Sequence, residues 1–253
     1  MHTIGMRFQI SADFHADIEL VTGIDTDVWD LNGPHLEKIT MEERQDSIVV
    51  TAKTHEARIP IAVAETVRNT FPAEIKQIAK HHKMLHRIFF ITMPGEVYTT
   101  EKYISVYTGK DGKHPKDAAI ELVRQNKEKG YQTIKEEQIA RWESLWAHSE
   151  VQIKGDVKAM GAVNYSLYHL HSIAPRHTQS LSIPARGLSG QTYKGAVFWD
   201  TEMFMLDFFL MTDPDTARVL MKYRIDTMQG ALDKAKHYGY DGAFYAWESQ
   251  EGG

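Results

Sequence analysis

The stretch GAVFWDTEMFMLDFF, Gly195–Phe209, sets two carboxylates, Asp200 and Glu202, beside Trp199 inside an apolar run. Charge in such surroundings is costly unless it is paired or used. Two readings are open. Asp200 has the residue type of a helix N-cap and could close a helix starting near Thr201. Alternatively, an indole stacks on the apolar face of a pyranose while a neighbouring carboxylate accepts hydrogen bonds from its hydroxyls. The stretch YAWES, Tyr245–Ser249, repeats the grouping of aromatic residue, Trp247 and carboxylate Glu248. Two such groups, each beside a Gly-bearing loop, favour a carbohydrate pocket.

Two other stretches carry chemistry-bearing residues. SIPARGLSGQTYKG, Ser182–Gly195, holds three glycines and Lys194 between helical segments. A phosphate-cradling loop is one reading. The stretch lacks the G-x-x-x-x-G-K-[ST] spacing, however, so an ordered loop beside a pocket is favoured. HHKMLH places His82 and His86 four apart, a spacing that on a helix could grip a metal ion. It has no HExxH pattern and no third ligand, so a solvated polar face is expected and no metal site is assigned.

The elements that must position these residues change character along the chain. Over the first hundred or so residues the pattern is β. Ile18, Leu20, Thr22 and Ile24 alternate with polar partners, and SIVVTAKT, ARIPIAVAETV and VYTTEKYISVYTG are strand-like runs. GIDTDV and LNGP are read as turns. Crossover helices are scarce, which points to an antiparallel sandwich of about six to eight strands. His114-Pro115 opens a charged helix over Asp117–Lys129, stopped by Gly130, and Ile139, Trp142, Leu145 and Trp146 recur at helical spacing in a second. These two read as a connector. From Asp156 the chain is helical. Met160, Val163, Leu167 and Leu170 form a stripe, and Thr201–Met211 is a nearly all-apolar helix expected to be buried. Asp213-Pro214 starts a third helix, and Gly239 stops a fourth.

Composition narrows the function classes. The 253 residues carry a formal net charge of -5, which gives no electrostatic argument for nucleic acid or an anionic membrane surface. There is no cysteine, hence neither disulfide nor thiolate site. No apolar run approaches a membrane span, the first residues lack a signal-peptide core, and a cytoplasmic protein is expected.

Three blocks, IPARGLSGQTYKGAVFWDTEMFMLDFF, TDPDTARVLMKYR and GYDGAFYAWES, closely resemble in order and spacing the α-glucoside phosphorylases of glycoside hydrolase family sixty-five. GIDTDV and HLEK extend the resemblance more loosely into the β half. It implies a partial antiparallel β-sandwich over 1–110, a helical linker over 111–150, and the first helices of an (α/α)6 barrel over 151–253. It also implies inverting cleavage of a glucosyl disaccharide by inorganic phosphate to β-glucose 1-phosphate, with no metal or organic cofactor. On this resemblance Trp199, Asp200, Trp247 and Glu248 bind substrate, while Lys194 and Glu202 support the loop.

Because phosphate is itself an anionic nucleophile, one carboxylic acid suffices for the chemistry. In the family that acid lies in a Gly-Pro-Asp-Glu type segment well beyond the reach of this sequence, so no catalytic residue is assigned within it. The expectation is a partial chain, inactive alone, prone to self-association as a homodimer or with a complementing chain. A non-catalytic carbohydrate-binding module and a hydrolase using water are the alternatives. Phe198 and the WES triplet Trp247-Glu248-Ser249 lean towards a kojibiose-, nigerose- or trehalose-type specificity over maltose.

Overall fold

The computed structural model describes residues 2–30, 33–187 and 192–250. Leu31 and Asn32 of the LNGP turn, and Leu188–Gln191 of the Gly-rich stretch, lie outside the described residues. The chain divides into two compact units, Met1–Ala140 and Arg141–Gly253.

The first unit holds strands β1 (Thr3–Ser11), β2 (Ala16–Asp25), β3 (Trp29–Asp30), β4 (Gly33–Pro34), β5 (Leu36–Glu43), β6 (Ser47–Thr54), β7 (Pro60–Asn69), β8 (Glu74–Lys80), β9 (Lys83–Thr92) and β10 (Val97–Thr108), then helix α1 (Pro115–Lys129). Two antiparallel sheets form, in the orders β1-β10-β7-β6-β5 and β2-β9-β8, beside the short β3-β4 pair. Alternation decides which face meets which layer. Ile48 and Val50 of β6 meet Met84 of β9, and Val67 of β7 meets Ile88 and Phe90, closing the space between the sheets. Val49, Ala62 and Ala64 point the other way and pack on Ala119 and Val123 of α1. SIVVTAKT is therefore buried almost continuously from Ser47 to Ala52, because both of its faces are covered. Helix α1 is a third layer of this core, not the polar connector its charge pattern suggested. Its charged residues form only the outward face.

Two local expectations are corrected. Gly23 of GIDTDV lies inside β2, paired with Leu85, and a Cβ there would come 2.2 Å from the Met84 carbonyl oxygen. The glycine serves a close backbone approach rather than a turn. HHKMLH is a hairpin and not a helix: His81 takes a left-handed φ of 52° in the turn, and His86 stands within β9. The four-residue spacing thus never brings His82 and His86 onto one helical face. His86 is also buried, not solvated, and lies 3.3 Å from the equally buried Glu65.

The second unit takes in the end of helix α2 (Tyr131–Ser149), then α3 (Val157–Ile173), strand β11 (Val197–Phe198), α4 (Leu206–Thr212), α5 (Pro214–Asp226), α6 (Met228–His237) and strand β12 (Glu248–Ser249). Asp156 and Asp213 cap α3 and α5 through their carboxylates. Ala174, Ile183, Phe209, Ala217 and Leu220 form the buried cluster, flanked by Leu170. The expected helix over Thr201–Met211 opens instead as a π-helical turn, Thr201–Met205, before becoming α4. Only part of it is buried. Phe209 is inaccessible, whereas Phe204 is 73% and Met211 87% exposed, because α5 and the residues around Ile183 cover one side alone.

Candidate functional site

The two Trp-carboxylate groups, 45 or more residues apart in sequence, come together through a two-stranded ladder. Val197 pairs with Ser249 and Phe198 with Glu248. The ladder places Trp199 and Trp247 edge to face, with ring centroids 5.1 Å apart, and Phe198 against Trp247 at 5.8 Å. The Trp199 indole is fixed by donation from Nε1 to the Ala246 carbonyl at 2.9 Å. Trp247 stays 55% exposed, so an aromatic face is presented to solvent.

Asp200 resolves the two readings of its carboxylate. Its backbone is helical (φ -52°, ψ -35°) and its side chain makes no capping hydrogen bond. The amides of Glu202 and Met203 are taken by the Trp199 carbonyl instead, at 3.1 and 2.9 Å. The half-buried Asp200 carboxylate therefore has no part in closing the helix, and among the described residues no hydrogen bond or ion pair engages it. The same holds for Glu248, which is exposed, and for Lys194. Lys194 sits in the turn Thr192–Gly195 with a left-handed φ of 52°, next to Tyr193 at φ 66°. Each such non-glycine residue costs roughly 1–2 kcal/mol. Tyr193 is held there by its ring against Phe198, 5.0 Å between centroids.

Glu202 differs from the other carboxylates. Its Oε2 accepts from Arg224 at 2.8 Å, while its buried Oε1 has no hydrogen-bond partner among the described residues. Arg224 is the residue that sequence reasoning missed. From α5 it donates to the Phe198 carbonyl at 2.9 Å and to Ser249 Oγ at 3.1 Å, so one guanidinium ties β11, β12 and the π-helical turn. Tyr223 and Tyr245 flank it, and Tyr223 also donates to the Gln250 carbonyl at 2.9 Å. A signal was present in the sequence: Ala217, Leu220 and Arg224 fall at i, i+3 and i+7, which puts a guanidinium on the apolar face of α5. Thr201 Oγ1 donates to the Ile183 carbonyl at 2.9 Å and attaches the start of the Gly-rich stretch.

A second polar chain braces the unit away from the indoles. His171 Nδ1 accepts from Arg176 at 3.0 Å, so its proton is on Nε2, directed to Ser149 Oγ at 2.8 Å. Burial, and then the positive charge of Arg176, push the His171 imidazole below its usual range, with Asp213 opposing. Arg176 also donates to Asp213 at 2.8 Å. Burial works against ionisation of Asp213, but hydrogen bonds from Thr216 and Arg176 outweigh it and hold that carboxyl low.

An aromatic corner with two carboxylates left without protein partners suits a neutral, hydroxyl-rich ligand. Residues 1–145 match the N-terminal domain of glycosyl hydrolase family 65, and residues 164–253 match the family's central catalytic domain. The chain belongs to glycosyl hydrolase family 65. It is 46% identical to the nigerose phosphorylase of Lachnoclostridium phytofermentans, over all of this chain and 36% of that protein. The 1,2-alpha-glucosylglycerol phosphorylase of Bacillus selenitireducens is 35% identical, again over all of this chain and 33% of that one. The kojibiose phosphorylase of Halothermothrix orenii is 32% identical over all of this chain and 34% of its own length. The chain thus spans about a third of the length of these relatives. A solved structure from the human microbiome, described provisionally as a kojibiose phosphorylase, shares the fold with a TM-score of 0.91 at 18% identity, over 99% of this chain and 34% of that one.

Proposed function

We propose that this chain forms the glucosyl-cradling part of a disaccharide phosphorylase. The observation that carries the reading is the pairing of Trp199 with Trp247, with Asp200 next in the chain to Trp199 and its carboxylate engaged by no described residue. In this reading Trp199 and Trp247 stack on the apolar faces of the sugar, and Asp200 accepts from hydroxyls remote from the scissile bond. Glu248 accepts from the second sugar, while Glu202, held by Arg224, supports the loop with Lys194. The helices of the second unit are the opening helices of an (α/α)6 barrel, following a partial sandwich over 1–110 on which α1 packs. Phosphate attacks the anomeric carbon with inversion and yields β-glucose 1-phosphate. A carboxylic acid from outside these residues protonates the leaving oxygen. No metal or organic cofactor takes part.

These 253 residues alone are therefore expected to bind sugar without turning it over. The 46% identity to a nigerose phosphorylase makes nigerose the first disaccharide to try. The test is release of glucose 1-phosphate from nigerose, kojibiose, trehalose and maltose with phosphate, run beside tryptophan-fluorescence titration with the same sugars. Quenching that is lost in Asp200→Ala, without product, is the expected result. Turnover by the chain itself would overturn the assignment of the acid to another segment. Glucose without glucose 1-phosphate would mark a hydrolase. The absence of any sugar-dependent fluorescence change would remove the cradle.

A further inference from the structure

The β unit contains a second place built to take a ligand, remote in sequence from the tryptophans. A cavity of about 320 Å³ opens beneath the β5–β6 turn, lined by Arg44, Gln45, Gln77, His86 and Lys127, with Val67 and Ile75 giving it an apolar side. Gln77 and His86 are directly opposed across the β8–β9 ladder, which turns both side chains to the same face.

His86 is only 1% exposed, and its Nε2 has no hydrogen-bond partner among the described residues. Its other nitrogen is accounted for. Nδ1 lies 3.3 Å from Oε1 of Glu65, whose Oε2 is paired with Lys102 at 2.8 Å. The carboxylate accepts, so Nδ1 carries the proton, and a neutral ring offers the Nε2 lone pair as an acceptor. A buried acceptor of this kind is costly unless something donates to it.

The size and charge of the cavity select the donor. One water has a liquid volume of roughly 30 Å³, about a tenth of the space. The nearby cations are already neutralised: Arg44 pairs with Glu42 at 2.7 Å and Lys127 with Asp46 at 3.2 Å, which removes the case for an anion. Among the described residues no three histidine or carboxylate side chains converge, so a cation has no ligand set. What fits is a small neutral molecule carrying several hydroxyls, one to donate to His86 and others to exchange with the amides of Gln45 and Gln77, its C–H surface against Val67 and Ile75.

We propose that this cavity is an accessory site for a polyol or single sugar ring, with a ligand hydroxyl donating to His86 Nε2. The test uses the full chain carrying Asp200→Ala, so that binding at the tryptophans does not contribute, with nitrogen-15 in its histidines. Glycerol and D-glucose are titrated and the His86 imidazole nitrogens followed, assigned by their loss in His86→Gln. A saturable shift centred on Nε2 is expected. Gln77→Ala, at the partly exposed mouth, should weaken it about tenfold, the loss of one hydrogen bond, and serves if His86→Gln does not fold. A His86 resonance that ignores both polyols overturns the proposal. So does one that answers only to inorganic phosphate, or one whose titration is unchanged in Gln77→Ala.

Discussion

The two units bury their apolar residues in different ways. In the sheet unit the period-2 pattern closes on itself. Central strands such as β6 send one set of side chains to the second sheet and the other to α1, while edge strand β1 leaves Ile4, Met6 and Phe8 each at least 50% exposed. In the helical unit the apolar residues outnumber the covered positions. Met203, Phe204, Met211 and Ile225 are all more than 60% exposed, although they lie in or beside helices with buried neighbours. The polar groups divide differently too. The sheet unit encloses charges between its layers, with Glu65 meeting Lys102 and His86, and Glu101 meeting Arg7 and Arg68. The helical unit spends its buried Arg224 on joining the segments that carry the indoles. Strand alternation thus makes a unit that completes its own core, whereas these helices hold a site together by a few polar ties.

Removing such a tie should have the largest effect. Arg224→Ala leaves Glu202 and two other acceptors without their donor and is expected to cost about 3–5 kcal/mol, all of it in the helical unit. Denaturant unfolding with hydrogen exchange read separately over each unit checks this. Equal loss of protection in β6 and β7 would contradict the separation. Core truncation comes next: Leu220→Ala and Ile88→Ala remove fully buried side chains and should each cost about 2–4 kcal/mol, each confined to its own unit.

Acid should sharpen the contrast further. The His171 pKa lies below the ordinary 6.5, so the unfolded chain takes up that proton first. The stability it contributes is complete above pH 6.5 and is lost as the pH falls below that value. In the sheet unit, burial opposes ionisation of Glu101, but hydrogen bonds from Tyr103 and Arg7 and the charge of Arg68 outweigh it and hold the carboxyl below 4.5. Its contribution is kept until the pH falls through about 4.5. Near pH 5.5 the helical unit should already be weakened while the sheet unit is not, as near- and far-ultraviolet circular dichroism would follow. His171→Gln should abolish the earlier phase. The smallest expected effect on stability is at the exposed apolar residues. Phe204→Lys and Met211→Lys should change it by less than about 0.5 kcal/mol. Sedimentation should nevertheless show less self-association, and an unchanged distribution would mean that this face does not drive it.

Much of this was legible beforehand. Strand alternation announced the sheets, and the aspartates at 156 and 213 announced their helices, because N-capping and side-chain period are local properties of the chain. The family resemblance rested on three contiguous blocks, each readable without knowing its neighbours in space. Three features were not legible, for one shared reason. Whether Asp200 caps a helix, whether His86 faces solvent, and whether α1 is a connector or a core layer depend on which distant segments occupy the other side. Asp200 has the right residue type for a cap, but the π-helical turn hands the free amides to the Trp199 carbonyl. His86 reads as part of a polar run, but β7 and β10 bring Glu65 and Lys102 over it.

By itself the sequence determined the helix starts at Asp156 and Asp213, the alternation of the strands and the residue types that can cradle a sugar, since these follow from side-chain chemistry and from periods of 2 and 3.6 residues. Only the tertiary structure decided that FWDTE and YAWES share one site. Their meeting depends on a guanidinium in α5 reaching both at once, and no local period in the chain encodes a contact between residues 198, 224 and 249.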